Sequence, residues 1–126
     1  SGALGITALS LGIQKADFVD NSKDATTAIK TNMINIYRLG FNPTYHLFYQ
    51  DVENFVLSSE PNHYDLIFFA PPFVSFDAKT GLLAKNLLKS EGVLIVEQPK
   101  ALPIVNQFDA IKIKTYGPSR LYFIKN

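Results

Sequence analysis

Apolar positions along the chain recur with two different periods, one typical of strands and one typical of helices. Between residues 22 and 39 they recur every three or four residues, through Ile29, Met33 and Ile36, which predicts an amphipathic helix. Tyr64–Phe69 is almost continuously apolar, as in a strand buried on both faces. The same patterns predict helices over residues 1–11 and 51–58, and a helix marked by the leucines within 82–88 that stops near Gly92. They also predict strands over 15–20, 44–50 and 93–97, and a hairpin from 110–116 and 121–125.

The order of these elements predicts an α/β fold. Because helices and strands alternate, we expect a Rossmann-like, doubly wound sheet that is mostly parallel, with an antiparallel hairpin at its C-terminal edge. Such a sheet begins with a strand that leads into a glycine-rich turn, whereas this chain opens at the turn itself. We therefore expect the first strand to be missing from this sequence, the sheet to be interrupted there, and residues 1–126 to form one partial domain.

Composition narrows the possible chemistry. The chain has no Cys, which excludes disulfides, thiolate zinc sites and a cysteine nucleophile, and its two His residues are far apart in sequence. The net charge of +1 argues against bulk electrostatic binding of nucleic acid, although a local basic face stays possible. No apolar run approaches the roughly 18–20 residues of a membrane span.

The glycine-rich start of the chain is the first candidate binding element. In Ser1–Gly5, glycines stand where a turn would open a helix. Glycine permits close approach of the backbone to a ligand, and a helix start supplies unpaired amide donors. Gly2 and Gly5 could equally serve packing alone.

Two acids follow predicted strands. Asp20 lies about fifteen residues after the glycines, where a carboxylate can accept two hydrogen bonds from a ribose diol. Asp51 follows the next strand and could accept a hydrogen bond from an adenine amino group. Asp20 could instead be a solvated loop acid, and Asp51 could be the N-cap of the helix that follows it. Asp51 can cap the helix and bind adenine only if each role uses a different carboxylate oxygen.

A proline pair ends the buried strand at Phe69. Pro71 and Pro72 cannot donate hydrogen bonds to a sheet, so the strand must stop before them. With Phe73, this segment presents main-chain carbonyls and a flat ring at the carboxyl end of a strand, the edge at which open α/β sheets bind ligands.

Six segments occur in the order and spacing of the RsmD (YhhF-type) methyltransferases, and the sequence resembles that family over essentially its whole length. The first and fourth segments alone indicate a class I methyltransferase. The glutamate-ended strand and the Tyr-Gly hairpin indicate this family more narrowly. The segments are Ser1–Gly5, Phe18–Asp20, Lys30–Asn32, Asp65–Phe73, Val93–Glu97 and Tyr116–Leu121.

The resemblance implies methyl transfer from S-adenosylmethionine, with S-adenosylhomocysteine as product, to the exocyclic N2 amine of a guanine in 16S rRNA. The partner would be 16S rRNA in an assembling small ribosomal subunit, and we expect a cytoplasmic monomer that needs neither metal nor membrane. The resemblance places Gly2, Ala3 and Gly5 in the cofactor loop, Asp20 at the ribose, Asn21 and Ser22 beside the adenine, and Asp51 and Val52 at the adenine edge and face.

The resemblance also places the family's catalytic Asp/Asn-Pro-Pro-Tyr/Phe motif on Ala70, Pro71, Pro72 and Phe73. In that motif a side-chain oxygen and a main-chain carbonyl accept the two amine hydrogens, which aims the nitrogen lone pair at the methyl group. Ala70 accepts nothing, so backbone carbonyls remain, that of Pro71 foremost. We expect the methyl transfer to be slower rather than abolished. Glu97 either replaces the missing acceptor in part or is a solvated acid.

Three side chains are candidates for contact with the substrate. Phe73 and, after it, Phe76 could receive a base turned out of its stack. Arg120 matches the family's basic hairpin residue, whereas Pro118 departs from the acid that is common there. The basic residues after position 99 form either a phosphate-facing stripe or an edge that deters strand pairing: Lys100, Lys112, Lys114, Arg120 and Lys125.

Other functions stay open on sequence grounds. A protein glutamine or DNA adenine methyltransferase would use a similar proline motif, a homologue impaired by Ala70 would bind cofactor or RNA without turnover, and a plain nucleotide-binding domain would need no amine-aligning loop. The methyltransferase hypothesis predicts that the glycine turn, both strand-end acids and the proline pair converge around one pocket.

Overall fold

The computed structural model describes residues 2–126, and Ser1 lies outside the described residues. The chain divides into two compact units, Ser1–Phe55 and Val56–Asn126, which we call the N-terminal and C-terminal units. None of the helices in the described part of the chain is long and apolar enough to cross a bilayer. The assignment of residues 1–126 to one domain stays a prediction.

The N-terminal unit contains two helices and a two-stranded parallel sheet. Its elements are α1 (Ala3–Ser10), β1 (Lys15–Asp20), α2 (Lys23–Arg38) and β2 (Thr44–Tyr49), and α3 (Val52–Ser58) follows β2. β1 and β2 pair from Lys15 opposite Thr44 to Asp20 opposite Tyr49. The predicted strand at 15–20 and the predicted helix over 22–39 are therefore confirmed within one residue.

The core of this unit forms because α2 is amphipathic. Its apolar face buries Ile29, Met33 and Ile36 against Phe18 of β1 and Leu9 of α1. Ser22 caps α2, since its Oγ accepts the Ala25 amide hydrogen at 3.3 Å. After the helix, Gly40 has a φ of 93°, a left-handed conformation that only glycine adopts without strain.

The C-terminal unit is a four-stranded mixed sheet with one α-helix, α4 (Ala78–Ala84). Its strands lie in the order β3-β4-β6-β5, in which β3 and β4 are parallel and the other pairs are antiparallel. Short 3₁₀ turns follow Pro72, α4 and Val105. The strands are β3 (Tyr64–Phe69), β4 (Leu88–Pro99), β5 (Lys112–Tyr116) and β6 (Ser119–Lys125).

One face of this sheet carries the core of the C-terminal unit. Gly81 of α4 lies against the rings of Phe69 and Phe108, at a distance that leaves little room for a side chain. Phe108 also packs edge-to-face on Tyr122, with ring centroids 4.8 Å apart. The fully buried residues of the neighbouring strands complete this face: Leu94, Val96, Tyr122 and Ile124.

The structure corrects the sequence prediction between residues 82 and 92. The leucine spacing predicts a helix that stops near Gly92, but the α-helix ends at Ala84 and Leu88 already begins β4. The register of β4 against β3 then shifts, at a bulge that includes Glu91 with a φ of 67°. Gly92 fits this bulge because a Cβ there would lie 2.9 Å from the Lys89 carbonyl oxygen.

The sheet is interrupted, as the sequence predicts. Within residues 2–126, β1 pairs only with β2 and β3 pairs only with β4, so the parallel strands fall into two separate sheets. The α/β class, the mostly parallel pairing of the first four strands and the antiparallel C-terminal hairpin are confirmed.

Candidate functional site

The carboxyl edge of the β1-β2 sheet brings two of the predicted site residues together. Asp20 is the last residue of β1 and lies opposite Tyr49, the last residue of β2. The Gln50 amide then donates to the Asp20 carbonyl oxygen at 3.1 Å, so the two strands leave the sheet side by side. Asp20 and Asp51 therefore lie at the same edge, as predicted for parallel strands.

One of the two oxygens of the Asp20 carboxylate forms a hydrogen bond in the turn that follows β1. Its Oδ1 accepts the Ser22 amide hydrogen at 2.8 Å, which turns the chain from β1 into α2 and places Asn21 at the exposed bend. Oδ2 accepts no hydrogen bond from the described residues, and the residue is only partly buried. One oxygen of Asp20 is thus oriented and available to a ligand.

Asp51 shows the same division of roles. Its Oδ2 accepts the Asn54 amide hydrogen at 3.1 Å, which caps α3. Its Oδ1 accepts no hydrogen bond from the described residues, and the side chain is exposed. Val52, the half-buried first residue of α3, provides an apolar contact beside it. The condition that capping and ligand binding use different oxygens is met.

The glycine turn lies at the start of α1. Gly2 is the N-cap residue with a φ of 70°, and its carbonyl accepts the Ile6 amide hydrogen at 2.9 Å. A Cβ at Gly5 would lie 2.5 Å from Cε1 of Phe18, so close helix–strand packing alone requires this glycine. The amide groups of the first turn, Ala3–Gly5, have no acceptor within the helix. These amides are what the turn can offer a ligand.

In the C-terminal unit, the proline segment presents one backbone acceptor at the end of β3. Pro72 precedes a 3₁₀ turn, and its carbonyl oxygen accepts both the amide and the hydroxyl of Ser75, at 3.0 and 3.2 Å. The carbonyl oxygen of Pro71 accepts no hydrogen bond from the described residues. Ala70 is exposed and contributes no polar side chain. The main-chain carbonyl is therefore open at Pro71 and engaged at Pro72.

Phe73 forms one side of a shallow apolar cleft. The ring is 39% exposed, and the cleft has a volume of about 470 Å³. Its other lining residues come from the end of β4 and from the β5–β6 turn: Pro99, Lys100, Ala101 and Pro118. Phe76 is not among them, since its ring packs against the buried Phe69 with centroids 6.4 Å apart. A flat ring could enter this cleft against Phe73.

The loop after β4 is held by Arg120. Its Nη1 donates to the Leu102 carbonyl at 2.7 Å and to Oε1 of Gln98 at 3.0 Å, and its Nη2 donates to the Lys100 carbonyl at 3.1 Å. Most of the guanidinium is therefore engaged within the protein. Contact of Arg120 with a substrate stays a prediction, whereas its role in shaping the wall of the cleft follows from these bonds.

Buried polar groups continue this network. Gln98 and Tyr122 are 2% and 0% exposed, and the Tyr122 hydroxyl donates to Oε1 of Gln98 at 2.6 Å. The Gln98 amide donates to the Pro103 carbonyl, and the Val105 amide donates to the Tyr122 hydroxyl. We call Gln98, Arg120 and Tyr122 the loop-anchoring network. The sequence analysis missed it, although Gln98 continues the buried alternation of Leu94 and Val96.

Glu97 points to the opposite face of β4 from Gln98. Its Oε2 accepts the hydroxyl of Ser119 at 2.7 Å, and the residue is half-buried. Glu97 is therefore neither a freely solvated acid nor a fully paired one, because its other oxygen accepts no hydrogen bond from residues 2–126.

The basic residues near the C-terminus divide into two groups. Lys125 pairs with Glu91 at 2.8 Å, which lowers the pKa of Glu91 through the hydrogen bond from Lys125 and, secondarily, its positive charge. Arg120 belongs to the loop-anchoring network. Lys100, Lys112 and Lys114 are exposed and form no ion pair within the described part of the chain. Residues 2–126 contain no group of three or more His, Cys, Asp or Glu side chains that could hold a metal ion.

In the N-terminal unit, both strand-end acids lie at the carboxyl edge of the β1-β2 sheet, and Gly2 and Gly5 of the glycine turn pack against the ring of Phe18 in β1. The proline pair, Phe73 and Arg120 belong to the C-terminal unit. Convergence of all four elements around one pocket stays a prediction.

Comparisons with known proteins agree with this architecture. A protein of Haemophilus influenzae, provisionally named a methylase, is 25% identical, with a TM-score of 0.78 over 99% of this chain and 80% of that one. A hypothetical protein of Thermus thermophilus is 26% identical, with a TM-score of 0.77 over 99% of this chain and 70% of that one. No curated protein matches the chain.

The YhhF protein of Escherichia coli, provisionally named a methyltransferase, shares the fold. It is 19% identical, with a TM-score of 0.76 over 100% of this chain and 70% of that one. The sequence profile of a family described as conserved hypothetical protein 95 matches residues 1–125. The chain therefore belongs to this family, the RsmD (YhhF-type) family of S-adenosylmethionine-dependent methyltransferases.

Proposed function

We propose that the protein transfers a methyl group from S-adenosylmethionine to the exocyclic N2 amine of a guanine in 16S rRNA. The observation that carries this proposal is the end of β3, where an open Pro71 carbonyl stands beside the exposed ring of Phe73 and its apolar cleft. An amine acceptor on a flat base needs both a hydrogen-bond acceptor and a stacking surface, and this segment supplies them.

The N-terminal unit fits the adenosine part of the cofactor. Oδ2 of Asp20 is free to accept from a ribose hydroxyl, Oδ1 of Asp51 is free to accept from an adenine amino group, and Val52 offers an apolar surface to the ring. Hydrogen bonds to such charged groups contribute about 1.5–3 kcal/mol each. When bound, S-adenosylmethionine supplies an electrophilic methyl group on a positively charged sulfur.

The C-terminal unit fits the acceptor. The base, turned out of its stack, lies on Phe73 and enters the cleft lined by Pro99 and Pro118. Stacking of one base on an aromatic side chain contributes about 1–3 kcal/mol. The Pro71 carbonyl then accepts one of the two amine hydrogens.

The missing side-chain acceptor at Ala70 slows the reaction without abolishing it. Loss of one preorganised hydrogen bond in a transition state costs about 2.7–4 kcal/mol, or a hundredfold to a thousandfold in rate. Positioning of the two reactants lowers the activation barrier by about 7–11 kcal/mol, which is more than the missing hydrogen bond would contribute. Methyl transfer is a direct displacement that depends mainly on positioning of the reactants. The protein therefore retains most of its rate acceleration without the acceptor at position 70.

The three unpaired lysines, Lys100, Lys112 and Lys114, are proposed to contact phosphates of the RNA. Two of them stand on β5, the edge strand of the sheet, where lysine also deters strand pairing. We further propose that the substrate is an assembling small subunit and that the enzyme acts as a cytoplasmic monomer.

Ala70 supports a second candidate function, in which the protein binds cofactor or RNA without turnover. The proline motif also suits a protein glutamine or a DNA adenine, because each offers an amine or amide nitrogen with two hydrogens. These candidates differ in the acceptor, so acceptor identity separates them.

The test is transfer of a labelled methyl group to a panel of acceptors. We expect label in naked 16S RNA or in small-subunit particles, and none in duplex DNA or release factor. Label in DNA or release factor would replace the proposed substrate. Calorimetric binding of S-adenosylhomocysteine without transfer to any acceptor would establish the binding function in its place.

A further inference from the structure

Glu97 stands where a second acceptor for the amine is needed. In the parallel pair of β3 and β4, Phe69 lies opposite Val96, and both residues are buried on the side that carries α4. The next residues are Ala70 and Glu97. Because side chains alternate along a strand, Glu97 lies on the opposite side of the sheet from Val96, beside the point where the chain leaves β3 at Ala70. Glu97 is thus the carboxylate nearest in register to the position that lacks one.

The Glu97 side chain is already oriented toward the carboxyl edge. Its Oε2 accepts the hydroxyl of Ser119, which pairs with Pro99, two residues further along β4. That hydrogen bond fixes one oxygen of the carboxylate toward β6 and the carboxyl edge, while Oε1 accepts no hydrogen bond from the described residues. A carboxylate with one anchored and one open oxygen is preorganised to accept a further hydrogen bond.

We propose that Glu97 is a catalytic residue that performs the role of the acid missing at position 70. This inference rests on the proposed amine methylation. Oε1 accepts one amine hydrogen and the Pro71 carbonyl accepts the other, which directs the nitrogen lone pair toward the methyl carbon. As the nitrogen–carbon bond forms, the sulfur–methyl bond breaks and its electron pair stays on sulfur. The proton released by the nitrogen passes to the Glu97 carboxylate and then to water.

The test compares Glu97→Gln with the wild-type protein in single-turnover methylation of small-subunit RNA. Glutamine is the same size and can keep the bond to Ser119 through its amide oxygen. The group left facing the amine is then NH₂, which donates and cannot accept. We expect the rate to fall about a hundredfold. The affinity for S-adenosylhomocysteine and the melting temperature should stay unchanged.

Two further variants make the test specific. Ala70→Asp, added to Glu97→Gln, restores a carboxylate at the neighbouring position and should recover at least tenfold of the lost rate. The control is Glu91→Gln, which removes the same charge from the same strand at an exposed position bonded to Lys125. We expect the control to methylate at the wild-type rate.

The outcomes separate this inference from the proposed function. If the wild-type protein methylates RNA and Glu97→Gln does so at the same rate, the role of Glu97 is overturned while the function stands. A loss of rate that Ala70→Asp does not recover also overturns it, because Glu97 would then act elsewhere. Absence of transfer by the wild-type protein to any acceptor instead overturns the proposed function.

Discussion

In each of the two units, candidate site residues lie where the parallel strands end, but the hydrogen bonds that hold those residues differ. At the β1-β2 edge, Asp20 and Asp51 bond to backbone amides only two and three residues away. At the edge of the second sheet, the bonds of Glu97 and Arg120 join residues 18–22 positions apart. The first edge is shaped by local turns and the second by tertiary contacts.

This difference indicates which of the two edges can determine the specificity for the methyl acceptor. A strand-end acid with a local turn needs only a few residues, so it can hold a common cofactor whatever the remaining sequence is. The wall of the cleft beside Phe73 depends instead on the loop-anchoring network, which is assembled only when β4 and β6 have paired. We therefore expect loss of a ligand-facing oxygen at the first edge to change ligand affinity alone, and substitutions in the loop-anchoring network to change stability and acceptor use together.

The largest effect on stability is expected from Gln98→Ala. This change removes the amide that bonds Pro103, Arg120 and Tyr122 and leaves a cavity in the core. We expect a loss of about 3 kcal/mol in the free energy of unfolding, since unsatisfied buried polar groups cost about 1–3 kcal/mol each. Urea denaturation measures it.

A matched pair at tyrosine checks that the network is responsible. Tyr122→Phe should cost about 1–3 kcal/mol because the Val105 amide loses its acceptor. Tyr116→Phe, on the exposed strand β5, should cost close to nothing. Equal effects of the two substitutions would argue against the network.

At the first edge, Asp20→Asn tests the open oxygen. Asparagine can keep the turn to Ser22 through its amide oxygen but loses the charge, so we expect S-adenosylhomocysteine to bind roughly thirtyfold more weakly, about 2 kcal/mol. Calorimetry measures the affinity. Asp24→Asn, in the exposed first turn of α2, is the control, and its affinity should match that of the wild-type protein.

Asp51 allows the two carboxylate oxygens to be tested separately. Asp51→Ser keeps an N-cap for α3 but loses the oxygen proposed to meet the adenine, so cofactor affinity should fall about tenfold with stability unchanged. Asp51→Ala should lose the same affinity and about 1 kcal/mol of stability as well. Identical unfolding curves for the two variants would show that the cap contributes nothing.

The smallest effect concerns pH. The hydrogen bond from Lys125, followed by its charge, holds the pKa of Glu91 below its usual value. A lowered pKa in the folded state means that the pair stabilises the protein above the pKa of the unfolded chain and ceases to do so as the pH falls through the folded value. Glu91→Gln should therefore melt slightly below the wild-type protein at pH 7, and the difference should shrink as the pH falls.

Much of the fold could be predicted from the sequence because its signals are local. The apolar run of β3 and the helical spacing of α2 each act within a few residues, and the sequence predicts both. The start of β4 at Leu88 was not predicted, since the bulge at Glu91 and Gly92 is stabilised by packing against β3.

The candidate site divides in the same way. Asp20, Asp51 and the open Pro71 carbonyl follow from strand ends and proline chemistry, which are visible in the sequence. The engagement of Arg120 and the burial of Gln98 depend on residues about twenty positions away, so only the folded chain reveals them. The packing of Phe76 on Phe69 is also seen only in the folded chain.

The most direct test of the central claim is to identify the methylated nucleoside. Small-subunit RNA incubated with the protein and S-adenosylmethionine would be digested to nucleosides and separated by mass spectrometry. The account predicts N2-methylguanosine, formed in proportion to the protein and absent when cofactor is omitted. A methylated adenosine or cytidine, with guanosine unmodified, would contradict it.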